Sequence, residues 1–338
     1  MSNRRLATWS IALAAVIAAV GYRASVFREP GPSPPPRIVF VTGGSGHYWQ
    51  ITVQGAMAAA QEQGVNLRVE MPADDESLDE QLKILTHLDT EHLDGLAVSP
   101  IDSQGQTHLI NRLVREMNVV TFDSDAPLSD RQSHVGTSNF SAGRACGRMV
   151  AEAIPDGGQI AVLCANRTKE NMIDRLGGFE ERIAQFISRD DGNTPRFAVV
   201  GYFEDNGSDE KCEENIRQAL TDYADLAGIV GMNARHGPIL LRVLKDEGKL
   251  DKVQLVTFDE ADETLDGIQA GHIYATIAQD PYKYGYEAVS QLTALCRGRG
   301  VELPIVGRGS VYVGAEAIDQ NNLREFRRRL QARQDSDP

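Results

Sequence analysis

The sequence predicts an α/β protein of two open parallel-sheet lobes. Three observations carry that prediction. The 338 residues suffice for two hydrophobic cores. From Arg37 onward, short β-rich runs alternate with longer segments of helical period, the signature of repeated βα units. The rhythm halts once, in a loop rich in Asp and Ser over residues 123–139, and then restarts with the same build.

Taken in order, residues 38–42 read as a strand, followed by a helical face of Val53, Ala56, Met57 and Ala60 that Gly64 stops. Residues 67–70 form the next strand, Leu78, Leu82, Leu85 and Leu88 a helix face, and 96–99 a strand ended by Pro100. Leu109, Ile110, Leu113 and Val114 mark a third helix, and 119–122 a fourth strand. In the second lobe the expected helices are 142–153, 175–187, 208–223 and 238–247, and the strands 160–163, 197–202, 229–231 and 253–258. The tail adds helix 265–270, strand 275–278, helix 284–295, strand 311–313 and a helix-competent stretch, 323–333, with five arginines, read as a solvated end.

Lys and Arg total 34 against 48 Asp and Glu, a formal charge of −14. Residues 1–36 hold four cations (Arg4, Arg5, Arg23, Arg28) and one anion (Glu29), so the remainder carries −17. A nucleic-acid partner is excluded, because affinity for phosphate backbones comes from clustered cations. Arg4 and Arg5 precede 17 uncharged residues, 6–22, with Ala19 and Gly21 at cleavage spacing. That is the layout of a signal peptide or of an N-terminal membrane anchor, and either one exports the body. Five prolines within residues 30–36 make a stiff spacer. The four cysteines form no CxxC and read as isolated buried thiols.

No GxSxG, Walker loop, HExxH or GxGxxG occurs, and the seven histidines lack ligand spacing, so no catalytic residue, metal or cofactor is indicated. An enzyme reading rests only on Asp and Arg side chains in a cleft. What stands out is a set of polar and aromatic residues where strands end, the edge at which open α/β sheets bind ligands. Tyr48 and Trp49 follow the first strand and Asp123 the fourth. Asn233 and Asp259 follow second-lobe strands, Gln279 precedes Pro281, and Arg175 opens the helix after Cys164. Carboxylates accept from hydroxyls, Arg and amides donate, and an aromatic face covers the C–H side of a sugar ring, so the set suits a neutral polyol. Arg175 and Asp259 are taken as ligand contacts that the fold can lose.

Seven segments in order carry a family resemblance. They are Tyr48-Trp49 with Gln54-Gly55-Ala56, Val98 to Ser103, Val120 to Asp125, Asp174 to Phe179, Gly231-Met232-Asn233, Val256 to Asp259, and Ala275 to Pro281. From residue 37 to 322 the chain resembles the periplasmic sugar-binding proteins of the ribose-binding type, cluster B substrate-binding proteins of ABC transporters, whose fold is also the ligand core of LacI-type repressors. The resemblance implies the periplasmic binding protein type I fold, two Rossmann-like lobes joined by a three-crossover hinge with crossings near Ser138, Gln279 and Val306. Residues 38–138 plus 280–306 would then form the N-terminal lobe, and 139–279 plus 307–322 the C-terminal lobe. They lie between a leader (1–28) with its linker (29–37) and a basic tail (323–338).

The resemblance also implies that Tyr48 and Trp49 are the sugar-stacking pair and that Asp123, Arg175, Asn233, Asp259 and Gln279 are the polar ligand contacts. This chain departs from the pattern at Gly46-His47, Ser124 and Ala234, and has Asn206 and Gly207 where a second aromatic platform is common, which puts ribose itself in doubt. The implied function is that of a monomeric periplasmic protein, free or anchored to the inner membrane. It would close on a monosaccharide or related polyol and deliver it to an ABC transporter permease. The alternative is a membrane-tethered sensor that reports the sugar to a receptor. A repressor would need a basic DNA-binding face, which a −17 body does not offer.

Overall fold

Strands covered on both faces read as unbroken apolar runs, and the computed structural model, which describes residues 34–186, 196–298 and 309–334, builds two sheets from such runs. The leader, all of the linker before Pro34, residue 306 and the last four residues lie outside the described residues. The chain divides at Pro36, and the fold here is that of the part beginning there. Among the described residues no helix is long and apolar enough to cross a membrane.

The first sheet contains β1 (Arg37–Val41), β2 (Asn66–Glu70), β3 (Gly95–Val98), β4 (Asn118–Phe122) and β5 (Ser133–Gly136). The second contains β6 (Gly158–Cys164), β7 (Phe197–Glu204), β8 (Leu226–Gly231), β9 (Gln254–Phe258) and β10 (Ala275–Ala278). Two late strands, β11 (Ser310–Tyr312) and β12 (Glu316–Asp319), complete them. The orders are β2-β1-β3-β4-β5-β11 and β7-β6-β8-β9-β10-β12. Each sheet therefore reverses direction at its first strand, opening a crevice beside β1 and beside β6. All pairs are parallel except β10 with β12, which run antiparallel.

The helices are α1 (His47–Gln63), α2 (Leu78–Thr86), α3 (Thr107–Val114), α4 (Asn139–Ala153), α5 (Glu170–Ala184), α6 (Asp209–Asp222), α7 (His236–Asp246), α8 (Asp262–Ala270), α9 (Pro281–Cys296) and α10 (Leu323–Gln334). Alternate β1 residues serve opposite cores: Ile38 and Phe40 pack with α1 and α9, Val39 and Val41 with α2 and α3. The second sheet is sandwiched likewise, with α4 and α5 on one face and α6, α7 and α8 on the other.

Three expectations need correction. The loop 123–139 contains β5, a four-residue strand whose His and two small residues hide its period. Residues 310–312 pair with β5 in the first sheet, so the last described crossing is at residues 313–315, and only from β12 onward does the tail join the second sheet. The C-terminal helix is not simply solvated: Leu323 and Phe326 are buried in the second lobe's core, while Arg327 and Arg329 pair with Asp266 and Glu316.

The first and the last described crossings lie side by side and are bonded to each other. Val313 N–H donates to the Gly136 carbonyl at 2.8 Å and the Thr137 hydroxyl to the Val313 carbonyl at 2.7 Å. After β10 the turn is fixed by Asp280, which caps α9 by accepting from Lys283 N–H, and by Pro281 in its first turn. Helix α9 then returns to the first lobe and packs on α1 through reciprocal glycines. A Cβ at Gly55 would lie 1.9 Å from the Tyr282 carbonyl oxygen, and one at Gly285 would lie 1.9 Å from that of Thr52. Gly285→Ala is expected to lose about 1–3 kcal/mol of stability by forcing α1 and α9 apart, read as a lower urea midpoint; an unchanged midpoint would show that the helices separate freely.

Candidate functional site

All seven residues singled out by sequence surround one inner chamber of about 60 Å³ between the lobes, at the C-terminal ends of the strands. A wider mouth of about 530 Å³ adjoins it, lined by Asp209, Arg235, Arg242 and Glu260 among others.

Two of the seven are placed by a shared device. Asp123 follows β4 and Asp259 follows β9, and each takes the left-handed backbone, with φ of 59° and 65°. Outside glycine that conformation costs on the order of 1–3 kcal/mol, and Asp tolerates it better than most residues. The turn swings each carboxylate off its strand into the cleft, where both are about 95% buried, at 5% and 4% exposure. Asp123 accepts from the Tyr48 hydroxyl at 2.7 Å, the Ser99 hydroxyl at 3.1 Å and, from the other lobe, Asn171 Nδ2 at 3.3 Å. Asp259 accepts from Gln279 Nε2 at 2.8 Å. Burial pushes its carboxyl up to about 6, with Asp123 adding to the rise, while the Arg175 charge and the Gln279 bond pull the other way. Burial, and then the nearby Asp123, holds the Tyr48 hydroxyl well above the usual phenol range, so it donates.

Arg175 does not open its helix: α5 begins at Glu170, so Arg175 lies inside it. The guanidinium is 2% exposed, lies 4.2 Å over the Phe258 ring and donates to Asn139 Oδ1 at 2.8 and 3.1 Å, to Gln279 Oε1 at 3.2 Å and to the Met232 carbonyl. Gln279 Oε1 also accepts from the Tyr284 hydroxyl. Arg175 therefore ties α4, the β8 loop and the second crossing together, and reaches the chamber as part of that network.

Trp49 differs most from expectation. The indole is 4% exposed, edge-on to Phe122 and Tyr48, with the Lys169 ammonium 5.3 Å above its ring. Its rim borders the chamber, but much of the face expected to meet a sugar is held by the protein itself.

The sequence reading missed Lys169, Asn171, Glu76, Asp75 and Asp205, all lining the chamber. Lys169 donates to Glu76 Oε1 across the lobes at 2.9 Å. Burial pulls its ammonium down, but Glu76, Asp123 and Asp75 outweigh that, and it stays above its ordinary value. Glu76 takes the left-handed backbone at φ 63°, which no glutamate in a loop announces in sequence.

Two of the seven histidines, His134 and His236, are buried rather than superficial. Asp205, Cys212 and His236 bring an oxygen, a sulfur and a nitrogen within 4.8 Å of one another. His236 Nδ1 accepts from Asn233 N–H at 3.2 Å, so the ring proton sits on Nε2 and is donated to Asp205 at 2.8 Å. With both ring nitrogens engaged, the cluster acts as a brace for the Asn233 loop. Asn233 Oδ1 in turn accepts from Ala165 N–H, and Ala234 beside it lines the chamber. The four cysteines are free, three of them buried.

Comparison with known proteins agrees with this fold. The ribose import binding protein RbsB of Salmonella typhimurium is 24% identical over 208 residues, 61% of this chain and 67% of that protein. The solved structure of GanP, a glucose-galactose binding protein from Geobacillus stearothermophilus, is 27% identical, with a TM-score of 0.78 over 86% of this chain and 99% of that one. A chain of the XylFII–LytSN complex shares the fold at 24% identity, with a TM-score of 0.75 over 85% of this chain and 98% of that one. With two such sheets, a shared crevice and residues 38–300 matched by the family's model, the chain belongs to the periplasmic binding protein domain family.

Proposed function

We propose that this protein is an exported solute-binding protein that closes on a monosaccharide or related polyol and presents the closed form to an ABC transporter permease. The observation that carries the reading is the pair of left-handed aspartates, one per lobe, facing a single chamber beside amide and guanidinium donors. Hydroxyl groups, which donate and accept at once, match that mixed lining, and each hydrogen bond to a charged group contributes about 1.5–3 kcal/mol. Contacts from both lobes favour the closed state by differential affinity. Binding of ribose by RbsB and of glucose and galactose by GanP, as their names state, supports a sugar over other polar solutes.

A thermal-shift screen of pentoses, hexoses and cyclitols tests the reading. A ligand at a hundred times its Kd stabilises by about 2.7 kcal/mol, and closure on it changes the emission of Trp49, the only tryptophan outside the leader. If no sugar moves either signal, the reading is wrong.

The second reading, a tethered sensor, is favoured by the uncharged run 6–22 of the leader with its Pro-rich spacer and by the likeness to a protein solved in the XylFII–LytSN complex. The mass of the mature protein separates them: removal of the leader leaves nothing to tether.

A further inference from the structure

Lys169 stands at the N-terminal end of α5 in the second lobe, yet its side chain ends in the first. Its Nζ lies 2.9 Å from Glu76 Oε1 and 5.3 Å over the Trp49 ring, and a Cβ at Gly43 would lie 3.5 Å from it. The two side chains are 6% and 8% exposed. Asn166, also from the second lobe, donates to Glu76 Oε2 at 3.3 Å and to the Ile101 carbonyl at 3.2 Å, and the Ser103 N–H donates to the Thr168 carbonyl. These contacts make a belt along one side of the cleft.

Lys169 and Glu76 border the inner chamber but neither the mouth nor the hollow on the hinge side. They therefore border the chamber away from both the mouth and that hollow. A buried ion pair is a poor source of stability compared with apolar packing, and its best-attested use is to fix one geometry over others. Glu76 adds a left-handed backbone, and the lysine covers one face of the Trp49 indole.

We infer that Lys169 and Glu76 determine ligand size: latched over Trp49, they wall off one end of the cleft, so the site takes a single-ring sugar and rejects a two-ring one. The inference rests on the proposed sugar-binding function.

The test compares the full chain with two double variants, titrated calorimetrically with D-ribose, D-arabinose and D-galactose and with lactose as the two-ring probe. The readout is the ratio of the lactose Kd to the best monosaccharide Kd. The unmodified protein is expected to show a ratio of about 100 or more. Lys169→Ala with Glu76→Ala removes the wall without orphaning a charge and should lower the ratio about tenfold. Lys169→Met with Glu76→Gln keeps the volume while removing the charges, and should leave the ratio unchanged. If the alanine pair does not fold, Lys169→Ser with Glu76→Ser carries the same expectation.

A ratio unmoved by truncation, or moved equally by the Met/Gln pair, overturns the inference while leaving sugar binding intact. Lactose bound by the unmodified protein as tightly as the monosaccharides overturns it too. If neither these sugars nor any pentose, hexose or cyclitol of the thermal-shift screen binds the unmodified protein, the functional reading fails and the inference fails with it.

Discussion

Arg175→Ala is expected to abolish measurable sugar binding and to lower the stability of the unliganded protein by about 3–5 kcal/mol. The sequence treats this arginine as a ligand donor that the fold can lose, but its bonds say otherwise. Removing it leaves Asn139 Oδ1 and the Met232 carbonyl without their buried donor, frees one acceptor site on Gln279 and strips Asp259 of a compensating charge. A buried acceptor left unpaired loses the full value of its hydration, whereas a surface contact does not. Arg175→Lys should recover only part of the loss, because an ammonium restores the charge but cannot fork to three acceptors over the Phe258 ring. Urea denaturation without sugar reads the structural component; a midpoint unchanged in the alanine variant would show that the network is incidental.

Asp259→Asn should do the opposite to stability while still weakening binding. The carboxyl is raised from an ordinary 3.8 to about 6, so the folded state favours its neutral form. Its contribution to stability is complete below about pH 4 and is lost as pH rises through about 6, a change on the order of 3 kcal/mol. Asparagine imitates the protonated acid and can keep the bond from Gln279 Nε2 through its own Oδ1. The variant should therefore melt higher than the parent at pH 7.5, and the difference should shrink toward zero at pH 4. Sugar affinity at pH 7.5 should fall by about 2–5 kcal/mol, since an amide replaces a charged acceptor. Paired pH-dependent melts decide it, and a difference that grows toward acid pH would mean that the carboxylate is the favoured form.

The contrast between these two residues marks what the sequence discloses. Asp123 and Asp259 were legible because each ends an apolar strand followed by a polar loop, where a parallel sheet exposes its functional edge. The central strands were legible for the same reason, their apolar runs being unbroken. Strands β5 and β12 were not, because four residues with a His or with two carboxylates show no period. Nor was the return of residues 310–312 to the first sheet, which depends on pairing across the hinge and not on local composition. Lys169, Glu76 and Asn166 escaped notice because nothing separates a charged loop residue facing water from one that meets a partner on another lobe. Arg175 was found, but its role was not, since hydrogen-bond partners up to about a hundred residues away have no trace in its neighbourhood.

The three crossings set the mechanics of the whole molecule. The first and last are bonded to each other through Gly136, Thr137 and Val313, and Arg175 ties Gln279 of the second to Asn139 at the end of the first. Three parallel straps fastened together behave as a leaf spring: they bend readily about the line they share and resist sliding and splaying. The lobes are thereby left with essentially one soft degree of freedom. Work done by a ligand in drawing the two aspartates together then goes into a single rotation, and whatever docks on the closed form needs to recognise only one angle.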